Sequence, residues 1–326
     1  MILLLSYSGD VNIDYVISWL KFYNHDYLRI NADEIIENKI YISINEKNIT
    51  YKNTNLCIND INSIWFRKFG SFSRTNYYHT VKKVVESNDL QQLANEYYAI
   101  LGSFISLFKR KKWLTYPWLA SLNKFDILLL AQECGLNIPE SFIVSQKSHL
   151  IDIQKKSKKT YISKSAFEPY FIHQPNGFFS MFTKEIVDMN DIPEFFFPSF
   201  IQEKICKKYE LRIFYINGEY YTMAIFSQSS KNTELDFRKF DWSNPNRKIP
   251  YNLPRDLKEK LTNMLNILKL NCCSIDIIKS STDEKYYFLE INPTGEFGMT
   301  STPCNYEAYK KIAQTLIEMD KHEDLQ

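Results

Sequence analysis

Cys272-Cys273-Ser274-Ile275-Asp276-Ile277-Ile278 and Tyr286-Tyr287-Phe288-Leu289-Glu290-Ile291-Asn292-Pro293 decide how this chain is read. Both runs alternate as strands, and the polar stretch Ser280-Ser281-Thr282-Asp283-Glu284-Lys285 between them reads as the turn of a hairpin. With the turn centred near Asp283, Asp276 and Glu290 lie opposite each other. Asn292 then projects on the same face as Glu290, because strand side chains repeat every two residues. Like charges placed opposite destabilise a sheet, so a compensating cation is expected. An all-oxygen Asp/Glu/Asn set suits Mg²⁺, which keeps waters and takes its remaining ligands from substrate phosphates. The pattern points to a nucleotide enzyme; the plainer alternative is a solvated polar face on an edge hairpin.

The rest of the sequence is that of an ordinary globular protein. Its 326 residues suffice for two or three packed lobes, with 44% hydrophobic and 15% aromatic side chains to fill them. Forty basic against 38 acidic residues leave a net charge of +2, so no global field attracts nucleic acid or a membrane surface. The short basic runs Lys109-Arg110-Lys111-Lys112 and Lys155-Lys156-Ser157-Lys158-Lys159 read as solvated helix ends or loops. Six cysteines show no CxxC spacing, and adjacent Cys272 and Cys273 project to opposite faces of their strand, so neither zinc nor a disulfide framework is indicated. The opening Met1-Ile2-Leu3-Leu4-Leu5 reads as a buried strand and not as a signal peptide, and no stretch approaches the length of a membrane span. A reducing cytoplasm is the expected setting. With eight glycines there is neither a P-loop nor a GxGxxG, and the five dispersed histidines form no hydrolytic triad.

Along the chain, residues 1–115 alternate strands and helices and include Ser63-Ile64-Trp65-Phe66-Arg67-Lys68-Phe69-Gly70, which predicts an α/β lobe. A second lobe, 116–198, opens with a helix from Lys124 to Cys134 that stops at Gly135, with Pro139 soon after. It continues through strands at Ser141–Val144 and Tyr161–Ala166, and an aromatic stretch from Phe167 to Phe182. The third lobe, 199–326, holds strands at Phe200–Ile205, Leu211–Ile216 and Tyr220–Phe226, with Asn217-Gly218 as a hairpin turn. Ser227 to Asn252 is long, polar and irregular, as lids are. A helix from Arg255 leads into the carboxylate hairpin, and a last helix covers Glu307 to Met319.

Two lysines stand out by context. Lys164 interrupts a strand that should be half buried, and Lys124 begins an apolar helix after Asn123. Either could be a phosphate ligand as a point charge, or a snorkelling or salt-bridged side chain. In Phe200-Ile201-Gln202-Glu203-Lys204-Ile205 a strand end could meet an adenine edge through its backbone, and Glu210 could accept from ribose hydroxyls. Arg212 and Arg238 could clamp a transferring phosphoryl group, or make ordinary salt bridges.

Taken in order, the Asn123-Lys124 helix ending in Gly135-Leu136-Asn137-Ile138-Pro139, Lys164, Gln202-Glu203-Lys204-Ile205, Glu210, Asp276 and Glu290-Ile291-Asn292-Pro293 resemble the ATP-grasp ligases over residues 116 to 300. The resemblance implies an α/β first lobe followed by two α+β lobes that sandwich ATP. It places Lys124 and Lys164 on phosphates, Gln202, Glu203, Lys204 and Ile205 around adenine, Glu210 on the ribose, and Asp276, Glu290 and Asn292 on two Mg²⁺ ions, Asn292 also bordering the nucleotide. Within that superfamily, Ile64-Trp65-Phe66-Arg67-Lys68 and Asn292-Pro293-Thr294-Gly295-Glu296-Phe297 resemble the microviridin-type (graspetide) ligases, and specifically the maturases of grasp-with-spasm systems.

Such enzymes activate Asp or Glu side chains of a ribosomal precursor peptide as acyl phosphates and join them to Ser, Thr or Lys, making ester or amide macrocycles. On this reading Arg212 and Arg238 stabilise charge on the transferred phosphoryl group and Arg67 holds a substrate carboxylate; no general base is identifiable. Leader-peptide docking is expected on residues 166–200, with a homodimer as a further candidate partner and neither nucleic acid nor membrane involved. One departure is the phosphate lid. Many ATP-grasp proteins carry a glycine-rich loop after the strand lysine, whereas only Asn176-Gly177 interrupts the aromatic stretch here, and Ser227 to Asn252 is the other candidate. The rival readings are a small-molecule carboxylate-amine ligase of the D-alanine or glutamate type, a non-catalytic ATP-binding module, and a structural or adaptor protein without a nucleotide site.

Overall fold

The computed structural model describes all residues except 38–39, 53, 158, 168–170, 175–176, 181–182, 229–244 and 322–326. The first lobe is a parallel sheet of β1 (Ile2–Ser6), β2 (Tyr27–Asn31), β3 (Ser63–Phe66) and β4 (Lys112–Thr115) in the order β2-β1-β3-β4. Such a sheet is covered on both faces, and its strands are apolar on both, as Ile2-Leu3-Leu4-Leu5 shows. Leu3, Leu5, Ile64 and Trp113 face one core with Phe104 of α2 (Ser87–Ser106). Ile2, Leu4 and Trp65 face another, built from α1 (Val11–Phe22) and the last helix, α6 (Ala308–Lys321). The sequence assigned that last helix to the third lobe, yet its Ile312 and Leu316 pack among first-lobe side chains.

The central sheet is antiparallel, with β5 (Ser141–Gln146), β6 (Tyr161–Lys164), β7 (Lys184–Glu185) and β8 (Phe195–Glu203) in the order β7-β6-β8-β5. Helix α4 (Lys147–Lys156) follows β5, so the second basic run begins at a helix end. Pro198 sits inside β8, where the register against β5 shifts between Phe195 and Ser199, the kind of irregularity at which a strand tolerates proline. Part of the aromatic stretch forms a separate hairpin of Phe171–Gln174 with Gly177–Ser180.

β9 (Lys207–Ile216), β10 (Glu219–Phe226), β11 (Arg247–Pro250), β12 (Cys272–Ser280) and β13 (Tyr286–Asn292) make the last sheet, ordered β11-β10-β9-β12-β13 and antiparallel throughout. Asn217 and Gly218 turn β9 into β10 with φ of 42° and 87°, the left-handed pair that a two-residue hairpin requires. β11 corrects the reading of Ser227 to Asn252 as wholly irregular: its later part pairs with β10. On one face, Leu211, Ile213, Ile275 and Ile277 are covered by Leu261 and Leu265 of α5 (Arg255–Leu268) and by Ile127 and Ala131 of α3 (Lys124–Glu133). Helix α3, read as part of the central lobe, therefore packs on the last sheet. Cys272 and Cys273 enter different cores, one on each side of β12.

Candidate active site

The expected cross-strand pair forms. Asp276 of β12 stands opposite Glu290 of β13, and on its other side opposite Arg212 of β9, so the three make one row across three strands. A register shift follows immediately, between Asp276 and Ile277: Ile277 pairs with Phe288, leaving Leu289 as the extra residue of a bulge. The bulge changes parity, so Phe288 and Ile291 both reach the apolar core while Glu290 is delivered to the opposite face.

Cations stand at both ends of the row. Arg212 donates from Nη1 to Asp276 Oδ2 at 2.5 Å. The Lys124 ammonium lies 3.7 Å from Glu290 Oε2 and donates to the carbonyl oxygens of Ser165 (3.1 Å) and Phe167 (2.7 Å). It gets there because Asn123 caps α3, its side chain accepting from the amides of Phe125 and Asp126, and because Asn137 beyond the helix pairs with β13, where its carbonyl accepts from the Phe288 amide at 2.8 Å.

Lys164 of β6 donates to Gln202 Oε1 at 3.4 Å, and Gln202, 1% exposed, donates to Ser141 Oγ at 3.0 Å. Glu203 accepts from Lys159 at 3.1 Å, and Lys204 donates to Glu185 at 2.6 Å. Gln202 and Glu203 end β8, and Lys204 and Ile205 lie in the short link from β8 to β9 that joins the central sheet to the last. Glu210 accepts from Lys207 and, at 3.0 Å, from Ser227 Oγ; burial raises its carboxyl pKa, with the Lys207 ammonium pulling the other way.

Asn292 sits two residues beyond Glu290, opposite Ser274. Its Oδ1 accepts from the amides of Thr294 and Gly295 and from Thr294 Oγ1, each at 3.1 Å. A cation at that oxygen would share it with these donors or replace them. Among the described residues no group of three or more His, Cys, Asp and Glu side chains could hold a metal unaided. The donor set is two carboxylates and an amide, all oxygen, which fits Mg²⁺ completed by phosphate and water.

One expectation changes, and another lies outside the described residues. Arg67 does not present itself to a substrate. It is 1% exposed, donates from Nε to Asp10 Oδ2 at 2.8 Å and from Nη1 to the carbonyl oxygens of Thr294 (2.5 Å) and Gly295 (2.7 Å), and reaches Glu296 at 3.4 Å. Arg238 lies outside the described residues, as do 229–244 of the expected lid and Asn176. Sequence reasoning missed Asp10, Lys68 and Glu296, which surround Arg67, and Lys207, which pairs with Glu210. Asp10 did carry a signal, an acid directly before a helix.

A RiPP-associated ATP-grasp ligase from Chryseobacterium gregarium, solved with ADP and a leader and core peptide, superposes with a TM-score of 0.84 at 24% identity, covering 97% of this chain and 96% of that one. The chain has the ATP-grasp fold. The macrocyclase MdnC from Microcystis aeruginosa, bound with precursor peptide MdnA, matches this ATP-grasp chain with a TM-score of 0.81 at 22% identity over 97% and 99% of the two chains. The ATP-grasp ligase PsnB, complexed with a minimal precursor variant, Mg and ADP, gives 0.78 at 14% identity over 98% of each. D-alanyl-alanine synthetase A from Vibrio cholerae is less similar, with 0.56 at 13% identity over 98% of each chain. No protein-family model matches the sequence, and no curated protein matches it significantly. No helix among the described residues is long and apolar enough to cross a membrane.

Proposed function

We propose that the chain is an ATP-dependent, ADP-forming carboxylate ligase that activates Asp or Glu side chains of a ribosomal precursor peptide and joins them to Ser, Thr or Lys. The observation that carries this reading is the row Arg212, Asp276, Glu290, Lys124: two carboxylates held face to face on neighbouring strands, each with a cation at its outer side. An enzyme of phosphoryl transfer mainly positions and screens charge, and the row is arranged for both. Asp276 and Glu290, with Asn292, would hold Mg²⁺, which supplies neutralisation of the triphosphate. Lys124 and Lys164 would turn to phosphate oxygens, Gln202 to Ile205 would border adenine, and Glu210 would accept from the ribose. Arg212, freed from Asp276, would meet charge developing on the transferred phosphoryl group, and Arg238 is proposed for the same task.

The carboxylate attacks the γ-phosphorus and displaces ADP; a hydroxyl or amine then attacks the acyl carbon and phosphate leaves. The resemblance to ligases solved with leader, core or precursor peptides supports a peptide substrate over a free amino acid, since the D-alanyl-alanine synthetase fits this chain less well. Leader docking on residues 166–200 and a homodimer belong to the same proposal, and six free thiols suit a cytoplasmic setting.

Mass spectrometry tests it. The protein is mixed with ATP, Mg²⁺ and acidic Ser/Thr-rich peptides encoded beside its gene, and each ring should remove one water. Intact peptides alongside ligation of free amino acids would favour the small-molecule ligase. Nucleotide binding without carboxylate-dependent phosphate release would favour a binding module.

A further inference from the structure

The parallel first sheet reverses its strand order between β1 and β3, and in such sheets ligands settle in the crevice beyond the carboxyl ends of the strands flanking that point. Here the chain fills the crevice itself. Asp10 follows β1, Arg67 and Lys68 follow β3, and into the space between them comes the turn that leaves β13, residues 293–297. Asp10 and Arg67 are 2% and 1% exposed and pair at 2.8 Å; Asp10 also accepts from Ser6 Oγ at 3.1 Å and from the Asn12 amide at 3.2 Å. The Arg67 guanidinium lies 4.9 Å from the centre of the Phe297 ring, and Lys68 pairs with Glu296. Gly295 passes so close to β12 that a Cβ there would lie 2.6 Å from Ser274 Oγ and 3.1 Å from the Ser274 amide nitrogen.

One peptide unit joins this clamp to the carboxylate row. The carbonyl of Thr294 accepts from Arg67 Nη1, and the amide of Gly295, the other end of the same planar group, donates to Asn292 Oδ1. Because a trans peptide points its C=O and N–H in opposite directions, fixing one end fixes the other. Arg67 thus sets the direction of one of the N–H groups that hold the Asn292 side chain, a group that also donates to the Asn292 carbonyl at 3.2 Å. The charge-assisted bond also polarises the group and makes that N–H a stronger donor.

We infer that Arg67 is a positioning residue which, through the Thr294–Gly295 peptide, orients Asn292 and so makes the metal affinity of the last sheet depend on the first lobe. The inference rests on the proposed Mg²⁺ role of the Asp276, Glu290 and Asn292 set. Partners that orient a metal ligand are commonly worth roughly 10–100-fold in metal affinity. The test is Mn²⁺ binding, read by paramagnetic resonance in the presence of ADP, with metal-free ADP affinity measured in parallel.

Arg67→Lys should weaken Mn²⁺ by roughly tenfold or more and leave metal-free ADP affinity within about twofold. In a cycle with Asn292→Ala the two changes should be strongly non-additive, as expected of residues acting through one group. If Arg67→Lys does not fold, Asp10→Asn, which keeps the shape and weakens the hold on the guanidinium, takes its place with the same expectation. Unchanged Mn²⁺ affinity in a folded variant, or additivity with Asn292→Ala, overturns the inference. A wild-type protein that binds no Mn²⁺ with ADP sinks the ligase reading instead, which keeps the two failures apart.

Discussion

Replacing Glu290 by Gln removes one negative charge and almost no volume from the row opposite Asp276. Two unit charges about 4 Å apart at an effective dielectric of about 20 interact by about 4 kcal/mol, so loss of this carboxylate toward a cation and its phosphates should lower the rate roughly a thousand-fold. The fold should hardly notice. The ion pair given up, Lys124 with Glu290 at 3.7 Å, is between partly exposed groups, with side chains 23% and 25% accessible, and such pairs contribute no more than about 1 kcal/mol. Relief of the cross-strand repulsion with Asp276 returns roughly 0.2–1 kcal/mol. The assay is ADP release across a Mg²⁺ titration, with thermal unfolding alongside, where a shift beyond about 4 °C would mean a structural effect. Turnover within about tenfold of wild type in a folded variant would refute the assignment, since a tenfold change corresponds to only about 1.4 kcal/mol.

Gly295→Ala forces a Cβ into 2.6 Å of Ser274 Oγ at a φ of 32°, and should cost about 1–3 kcal/mol in urea unfolding. Lys159 donates to Glu140 at 2.6 Å, and that bond, with a second from the Tyr161 hydroxyl, holds the Glu140 carboxyl below its ordinary range. A lowered acid stabilises above its unfolded value of about 4.3 and loses that contribution as the pH falls through the folded one. Lys159→Met should therefore be less stable than wild type at neutral pH, with the gap closing in denaturation series taken below about pH 4. Burial pushes the Cys272 thiol up to about 12 and Cys273 well above its ordinary value, while Cys57 and Cys206 are exposed. A thiol reagent on the native protein should modify Cys57 and Cys206 quickly and reach Cys272 and Cys273 only on unfolding.

The register of the carboxylate hairpin was legible because two local signals agree on it: alternation on both sides and turn chemistry between them. The bulge at Leu289 was not legible. Strict alternation would put Phe288 beside Glu290, and only the packing of Phe288 and Ile291 against the same helices shows why the strand must slip by one residue. Arg67 was misread for a related reason. A strand followed by arginine gives no hint that its partners come from Asp10, 57 residues earlier, and Thr294, 227 residues later. β11 escaped notice because four residues on a sheet edge carry little periodicity of their own. Helix α3 was bounded well by its Asn123 cap and Gly135 stop, but the sheet it covers is decided by tertiary packing that no local pattern encodes.

The placement of α6 against β1, β3 and α1 bears on how the protein is made. Ile2 and Leu4 lie far upstream of Ile312, Ala313 and Leu316, yet these complete the core that the two strand residues enter. A nascent chain can form the parallel sheet and its α2 face early, while the opposite face has only α1 to cover it until Ala308–Lys321 has been made. Domains that fold during synthesis close in order from the N-terminus. Here one face of the sheet is completed only by α6, and until that helix docks the part of the face that α1 leaves open is exposed apolar surface.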